Sequence, residues 1–397
     1  VAHSTKALHS RKPHPDYPLT PRGDGRWCKR IRGKLHYFTG TADEALEEWL
    51  RVKDDLLAGR VPRPKGDWLT VAALCNQFIV AKRQHVDTGE LSVRSWGDYY
   101  GTCETLVAEF GRGRIVDDLR PEDFGSLRKR FAKNNGPVRL GNEIQRTRTI
   151  LKWAFDSELI ERPVRTGPDF RKPAKHVVRK ARRVAGPRMF EPNELQTMLD
   201  AAQPQLRAMI YLGLNVGLGN NDCGSLRMAN VDLEAGWLDY PRPKTGIPRR
   251  CPLWAETVEA LRAAIAERPE PVNDDDADRV FLTVKRLPWT ADAKMRDDDK
   301  GTGPRVDAVT QAFKRLLLSL KLHRHGLGFY TLRHIFETIA GGLADQVAVD
   351  AIMGHADHSM ASHYRERIDD ARLQAVVDHV HDWLFPAKPK GKKPKAR

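Results

Sequence analysis

The chain has 397 residues, enough for two or three domains, and 40% of them are apolar, enough to bury real cores. A formal net charge of +15 with 30% charged residues favours a polyanionic partner, nucleic acid first and an acidic membrane surface second. No run approaches the roughly 18 apolar residues of a membrane span, no apolar leader follows Val1, so no signal peptide is expected, and the five cysteines form no CxxC pair. Cys28, Cys75, Cys103, Cys223 and Cys251 are scattered and odd in number. That argues against a disulfide framework or a zinc site, fits a reducing cytoplasm, and makes them small buried hydrophobes.

Residues 1–25 are rich in Pro, His, Gly and basic side chains, and their start is expected to be mobile. Arg26–Ile31 and Lys34–Phe38 flank Gly33 and read as the strands of a hairpin. Thr41 and Glu44 have the spacing of a capping box, and Ala42, Ala45, Leu46 and Trp49 then recur at helical spacing. The strands carry Lys29, Arg30, Arg32 and Lys34. A basic ribbon of this kind can lie in a DNA groove, and it can equally be a solvated edge that discourages aggregation; the sequence leaves both open.

Residues 60–66 read as a linker. From 67 to 165 four helices are expected: one with Val71, Leu74, Phe78 and Ala81; one with Trp96, Tyr100, Cys103, Val107 and Phe110; one after Pro121 with Phe124, Leu127 and Phe131; and one with Ile144, Ile150, Leu151 and Ala154. Together they make a helical bundle. Residues 166–189 are Pro-rich and strongly basic, and read as an interdomain linker. It would lie along phosphates or act as a solvated tether. Beyond it, 190–386 is mixed. Helices are expected from Glu191, over Arg207–Leu218 and over Glu256–Ala266. Strands are expected at Trp237–Tyr240 and Arg250–Leu253 around a Lys244-Thr245-Gly246 turn, with a further short strand at 279–284. The acidic runs Asp274–Asp276 and Asp297–Asp299 mark exposed loops, and 387–397 is a basic tail of disordered composition.

Tyr330-Thr331-Leu332-Arg333-His334-Ile335-Phe336-Glu337-Thr338 resembles the HxLRHTFAT segment of the tyrosine recombinase (phage integrase) family. Met353-Gly354-His355 resembles the family's LGH segment, and Tyr364 follows His355 by nine residues, as the family's nucleophile does. Pro243-Lys244-Thr245 falls in the hairpin where the family keeps a catalytic lysine. The motifs occur in family order. The resemblance implies a multidomain, mainly α fold with small β-sheets: an arm-type DNA-binding sheet with a helix (1–60), a helical core-binding domain (67–165), the basic linker (166–189), a mixed α+β catalytic domain (190–386) and the tail (387–397).

The resemblance also implies the chemistry. A tyrosine hydroxyl attacks a DNA phosphodiester, forms a 3′-phosphotyrosine and releases a 5′-hydroxyl, without ATP, metal or other cofactor. Fixed cations stabilise the charge gained by the nonbridging oxygens, arginine best because its planar fork binds phosphate at two points. By this carry-over Tyr364 attacks, Arg333 clamps the phosphate, His355 donates to a nonbridging oxygen, and Lys244 protonates the leaving 5′-oxygen as general acid. His334 occupies a supporting position.

Two positions depart from the pattern. Tyr330 stands where the family's HxxR histidine usually is, and its hydroxyl can still donate to phosphate. Gly219, in Gly217-Leu218-Gly219-Asn220-Asn221-Asp222, stands where GLRxxEL has the first catalytic arginine. Losing one such donor typically costs about 10²–10³ in rate. Another cation (Arg207, Arg227 or Arg249) could replace it, the amides of the 219–221 turn could form an anion nest, or cleavage could be lost with DNA binding kept. Three readings therefore stand: a site-specific recombinase or integrase, a DNA-binding protein of the same fold without cleavage, and a type IB topoisomerase-like enzyme. No GxxxxGK[ST] or GxGxxG loop and no metal-ligand cluster is visible in the sequence. The implied partners are double-stranded DNA, further copies of the chain in a tetramer on DNA with Asp369–Phe385 exchanged between protomers, and an accessory DNA-bending protein. The implied location is a bacterial cytoplasm, at the nucleoid when bound to DNA.

Overall fold

The computed structural model describes residues 11–59, 68–243, 245–296, 301–356, 360, 364 and 366–386. The expected mobile start (1–10), the linker at 60–66, Lys244, the run Asp297–Asp299 and the tail 387–397 lie outside the described residues. The chain divides into two compact units, Val1–Trp68 and Leu69–Arg397. All five cysteines are buried and free.

In the first unit β1 (Thr20–Pro21), β2 (Trp27–Ile31) and β3 (Lys34–Phe38) form an antiparallel sheet in that order. Trp27 pairs with Phe38 and Ile31 with Lys34, so Arg32-Gly33 is a two-residue turn. Both turn residues have positive φ (47° and 83°), the mirror-image turn that matches strand twist. Helix α1 (Ala42–Leu57) opens with the expected capping box: Glu44 N donates to Thr41 Oγ1 and Thr41 N to Glu44 Oε2. Trp27, Ile31, Phe38, Ala45, Trp49, Val52 and Leu56 close the core. Among the four basic strand residues, Lys29 is engaged internally, its Nζ donating to Pro18 O at 3.0 Å and lying 4.7 Å from the Trp49 ring centre. Arg30, Arg32 and Lys34 are exposed.

The second unit holds two clusters of buried side chains. The first is built on α2 (Val71–Asp87), α3 (Val93–Phe110), α4 (Pro121–Asn134) and α5 (Pro137–Asp156), with Phe78, Phe124, Ile144, Ile150 and Phe170 at its centre. The apolar spacing of the sequence places all four. The basic stretch that follows is more ordered than its composition suggests: Lys175–Ala185 is a helix, α6. It fits between Pro173 and Pro187, and Gly186 ends it at φ 76°.

The second cluster is the larger. It contains α7 (Pro192–Ala201), α8 (Pro204–Asn215), the short α9 (Asn220–Gly224), the antiparallel sheet β4 (Val231–Asp232), β5 (Trp237–Asp239) and β6 (Arg250–Pro252), and α10 (Ala255–Ala266). A two-stranded pair β7 (Thr290–Ala291) and β8 (Val306–Asp307) follows. Then come α11 (Ala308–Ser319), α12 (Thr331–Ala340), α13 (Gln346–Met353) and α14 (Asp370–Leu384). Helix α8 runs through the middle, with Ala208, Met209, Ile210, Leu212 and Leu214 fully buried.

Two expectations differ from the structure here. Helix α8 stops at Asn215 rather than running to Leu218, because Gly217 takes φ 68° and the buried Asn215 side chain turns to other partners. It accepts from Trp254 N and Thr257 Oγ1 and donates to Pro252 O. No strand forms at 279–284: Val280, Phe281 and Leu282 are buried, single bridges join Arg227 to Arg279 and Leu282 to Pro288, and a tight turn at Thr283–Leu287 reverses the chain. The apolar stripe of the C-terminal helix (Leu373, Val376, Val377, Val380, Leu384) is buried in the chain's own core, where Trp254 Nε1 donates to Val377 O and Gln196 Nε2 to Leu384 O. Exchange of that helix between protomers would have to undo this burial.

Candidate functional site

The end of α8 delivers Gly217, Leu218 and Gly219 to one side of α12. Leu218 is fully buried, and the carbonyl of Gly217 faces Arg333. Helix α12 places Leu332, Ile335 and Phe336 in the core and carries Arg333 inward with them, at 4% exposure. A buried guanidinium needs acceptors. Arg333 Nη1 donates to Gly217 O at 2.6 Å, and Nη2 donates to Met353 O at 2.9 Å and to His355 Nε2 at 3.1 Å. Burial pulls its pKa below the ordinary arginine value, with Arg242 and Arg249 adding to that and Tyr330 and Asp222 opposing it. The group stays charged. These three hydrogen bonds leave two of its five N–H donors for a phosphate oxygen.

Helix α13 ends in a left-handed cap at Gly354 (φ 62°, ψ 42°), after which His355 N donates to Asp350 O. This tight turn aims the imidazole back at α12. Arginine cannot accept a hydrogen bond, so the contact with Arg333 requires a lone pair on His355 Nε2 and puts the proton on Nδ1. Nδ1 lies 3.1 Å from Asp350 Oδ1 and 3.9 Å from Glu337 Oε2. To donate to a phosphate oxygen, Nε2 must take up a proton and release Arg333. Glu337, Asp350 and His355 hold donor atoms within 4.8 Å of one another, close enough for a metal ion. The Nδ1–Asp350 hydrogen bond already accounts for two of the three without one.

The position where the resemblance expects the first arginine is occupied differently. Gly219 has φ −91°, open to any residue, but a Cβ there would lie 3.2 Å from Cε2 of the Tyr330 ring. The two departures from the family pattern are thus in contact: the Tyr330 ring fills the space that a side chain at 219 would cross. Part of the amide nest is already engaged. Gly219 N donates to Asp222 Oδ2 at 3.3 Å, and Asn220 Nδ2 turns to Thr310 Oγ1 at 2.6 Å. Of the three candidate cations, Arg207 donates to Leu199 O and Asp200 O at the end of α7, and Arg227 pairs with Asp278 on the exposed surface. Arg249 is at the site. Its side chain is fully buried, Nε donates to Tyr240 O, Nη1 pairs with Asp222 Oδ2 at 3.1 Å, and Nη2 is buried without a hydrogen-bond partner.

Because Arg249 has no access to water, Asp222→Ala should destabilise the protein by about 3 kcal/mol, the lower end of the range for breaking a buried pair, since Asp222 is itself partly exposed. Asp222→Ala combined with Arg249→Met should recover most of that loss. Urea denaturation of the three proteins checks it, and additive losses in the double variant would contradict it.

Of the residues proposed from sequence, the structure brings together Arg333, His355 and Tyr330. Tyr330 is 48% exposed and stands edge-on to His334 with ring centres 5.3 Å apart. Lys244 lies outside the described residues, though the turn that carries it is closed by Thr245 N and Gly246 N donating to Arg242 O. Tyr364 is 80% exposed in a stretch where 357–359, 361–363 and 365 lie outside the described residues. Sequence reasoning missed Arg242, whose Nη1 donates to Gly354 O at 3.1 Å, and the partners Asp350 and Glu337.

Residues 188–371 match the phage integrase family. Among solved structures, a lambda integrase dimer bound to a COC′ core site superposes with a TM-score of 0.53 at 15% identity, covering 91% of this chain and 97% of that one. The Tn1549 transposon integrase in complex with transposon right end DNA gives 0.55 at 16%, covering 79% and 100%. A lambda integrase tetramer bound to a Holliday junction gives 0.51 at 15%, covering 90% and 97%. No match is found among curated protein sequences. No helix among the described residues is long and apolar enough to cross a membrane. Residues 188–371 thus match the phage integrase (tyrosine recombinase) family, and the chain shares a mainly α multidomain fold with the lambda and Tn1549 integrases.

Proposed function

We propose that the chain is a site-specific DNA recombinase that breaks and rejoins strands through a 3′-phosphotyrosine. The observation that carries this reading is the convergence of Arg333 and His355, 3.1 Å apart, at one turn of a phage integrase fold. Tyr364 Oη would attack the phosphorus and lose its proton to solvent as the P–O5′ bond breaks, with the departing 5′-oxygen protonated by Lys244. Arg333 would hold a nonbridging oxygen with its outer N–H groups, and His355, protonated on Nε2, would hold the other. Tyr330 would donate from its exposed hydroxyl. The bundle at 67–165 and the catalytic domain at 190–386 would grip the duplex, joined by the basic stretch 166–189, with the sheet of 1–60 as a further DNA contact. The lambda integrase complexes with core-site DNA and with a Holliday junction support a tetramer assembled on DNA.

Gly219 favours one rival, a DNA-binding protein of this fold that has lost cleavage. Covalent trapping separates the two. Duplexes selected from a random pool are nicked near the bound site and incubated with the full chain, and SDS-resistant adducts are counted. Wild-type adducts are the expected result. Tight binding without adducts, with adducts restored by Gly219→Arg, would establish the rival. Tyr330 is half exposed, so its ring can move aside for that arginine.

A further inference from the structure

Two guanidiniums meet at the turn before His355. Arg333 Nη2 donates to Met353 O at 2.9 Å and Arg242 Nη1 to Gly354 O at 3.1 Å. These are consecutive carbonyls, so chain geometry alone makes the two groups neighbours. Arg249 runs beneath the same turn: a Cβ on Gly354 would lie 2.7 Å from its Cδ. Its Nη1 is held by Asp222 Oδ2, which is 4.0 Å from the Cβ position of residue 219. Asp350 and Glu337 face the other ring nitrogen of His355. Asp222 offsets Arg249, but Arg333 and Arg242 hydrogen-bond neutral acceptors, so these two like charges in a half-buried place repel one another unless a further anion joins them.

The three arginines are not equivalent. Arg333 and Arg249 are buried, whereas Arg242 is partly exposed. Its backbone is fixed, because Arg242 N donates to Ile247 O at 2.8 Å and its carbonyl accepts from Thr245 N and Gly246 N. A cation held on a closed hairpin and steered by a backbone carbonyl is preorganised for an oxyanion. With the Tyr330 ring across the way out of position 219, a cation for the phosphate has to come from another element.

We infer that Arg242 is the second phosphate-binding guanidinium of the site, supplying from the β5–β6 hairpin the contact that Gly219 cannot make, with Arg249 as a buried positive charge behind it. The inference rests on the recombinase reading above. Its consequence is that Gly219 does not by itself abolish cleavage.

The test uses the full chain and two nicked duplexes that differ only at the scissile position, a phosphodiester in one and a methylphosphonate in the other. The methylphosphonate carries no negative charge, so a residue that acts by stabilising charge on the nonbridging oxygens is dispensable there. A residue that merely supports the fold is needed on both. Arg242→Gln should form adducts on the phosphodiester about 10²–10³ more slowly than wild type and match wild type on the methylphosphonate. Arg242→Lys, with the charge but not the fork, should fall between. Equal slowing on both duplexes would make Arg242 structural, and unchanged rates on the phosphodiester would overturn the inference outright. If wild type cleaves only the methylphosphonate, the recombinase reading stands but no second cation exists and the inference fails. If wild type forms no adduct on either, the recombinase reading falls and the inference with it.

Discussion

Tyr364→Phe is expected to form no covalent adduct while binding its duplex as wild type does. The side chain is 80% exposed, so the hydroxyl supports no core contact that folding depends on. Removing it should change stability by less than about 0.5 kcal/mol, and duplex affinity by no more than about twofold. The loss in cleavage is total because phenylalanine has no atom that can bond phosphorus. Gel shift and SDS-resistant adduct formation on the same nicked duplex measure both quantities. Persistent adducts would move the nucleophile elsewhere, and a large drop in affinity would give Tyr364 a binding role instead.

Arg333→Gln should be costly twice over. The carbonyls of Gly217 and Met353 would lose their donors inside a closed core, at about 1–3 kcal/mol for each group left unsatisfied. Cleavage should fall by at least about 10³, since a charged two-point donor to the phosphate is lost. Arg333→Lys separates the two effects. It keeps the charge but reaches only one of the carbonyls, so it should recover less stability than charge alone would suggest. Denaturation curves give the first effect and adduct rates the second. Unchanged stability in Arg333→Gln would contradict the anchoring described here. Intact cleavage in a folded Arg333→Gln would remove Arg333 from the phosphate site.

Much of this was legible in the sequence for identifiable reasons. The four bundle helices follow from apolar spacing, the hairpin at 27–38 from alternation around Gly33, and α1 from its capping box. The segments around Arg333 and His355 stand out because both resemble family motifs, with Arg333 among the apolar Leu332, Ile335 and Phe336 of α12 and His355 just past the end of α13. What sequence does not carry is tertiary convergence. Arg242 reads as one basic residue in Pro-Arg-Pro-Lys and becomes notable only because Gly354 presents a carbonyl to it. Arg249 and Arg250 are adjacent in sequence, but strand alternation buries the first and leaves the second over the Trp237 ring at 3.8 Å. Glu337 and Asp350 come together only when α12 and α13 pack. The helix at Lys175–Ala185 was hidden by its flanking prolines, whose positions outside its two ends are compatible with it. The apolar run at 279–284 has the composition of a strand, yet core burial satisfies it without a partner strand.

The most direct measurement is the chemical identity of the protein–DNA link. SDS-resistant complexes are digested with trypsin, the DNA-bearing peptide is sequenced by mass spectrometry, and the released strand is tested for a free 5′-hydroxyl by enzymatic labelling. One modified peptide with the nucleotide on Tyr364, and a 5′-hydroxyl on the departing strand, are expected. A link at Tyr330 or any other residue, or a 5′-phosphate at the released end, would contradict this chemistry.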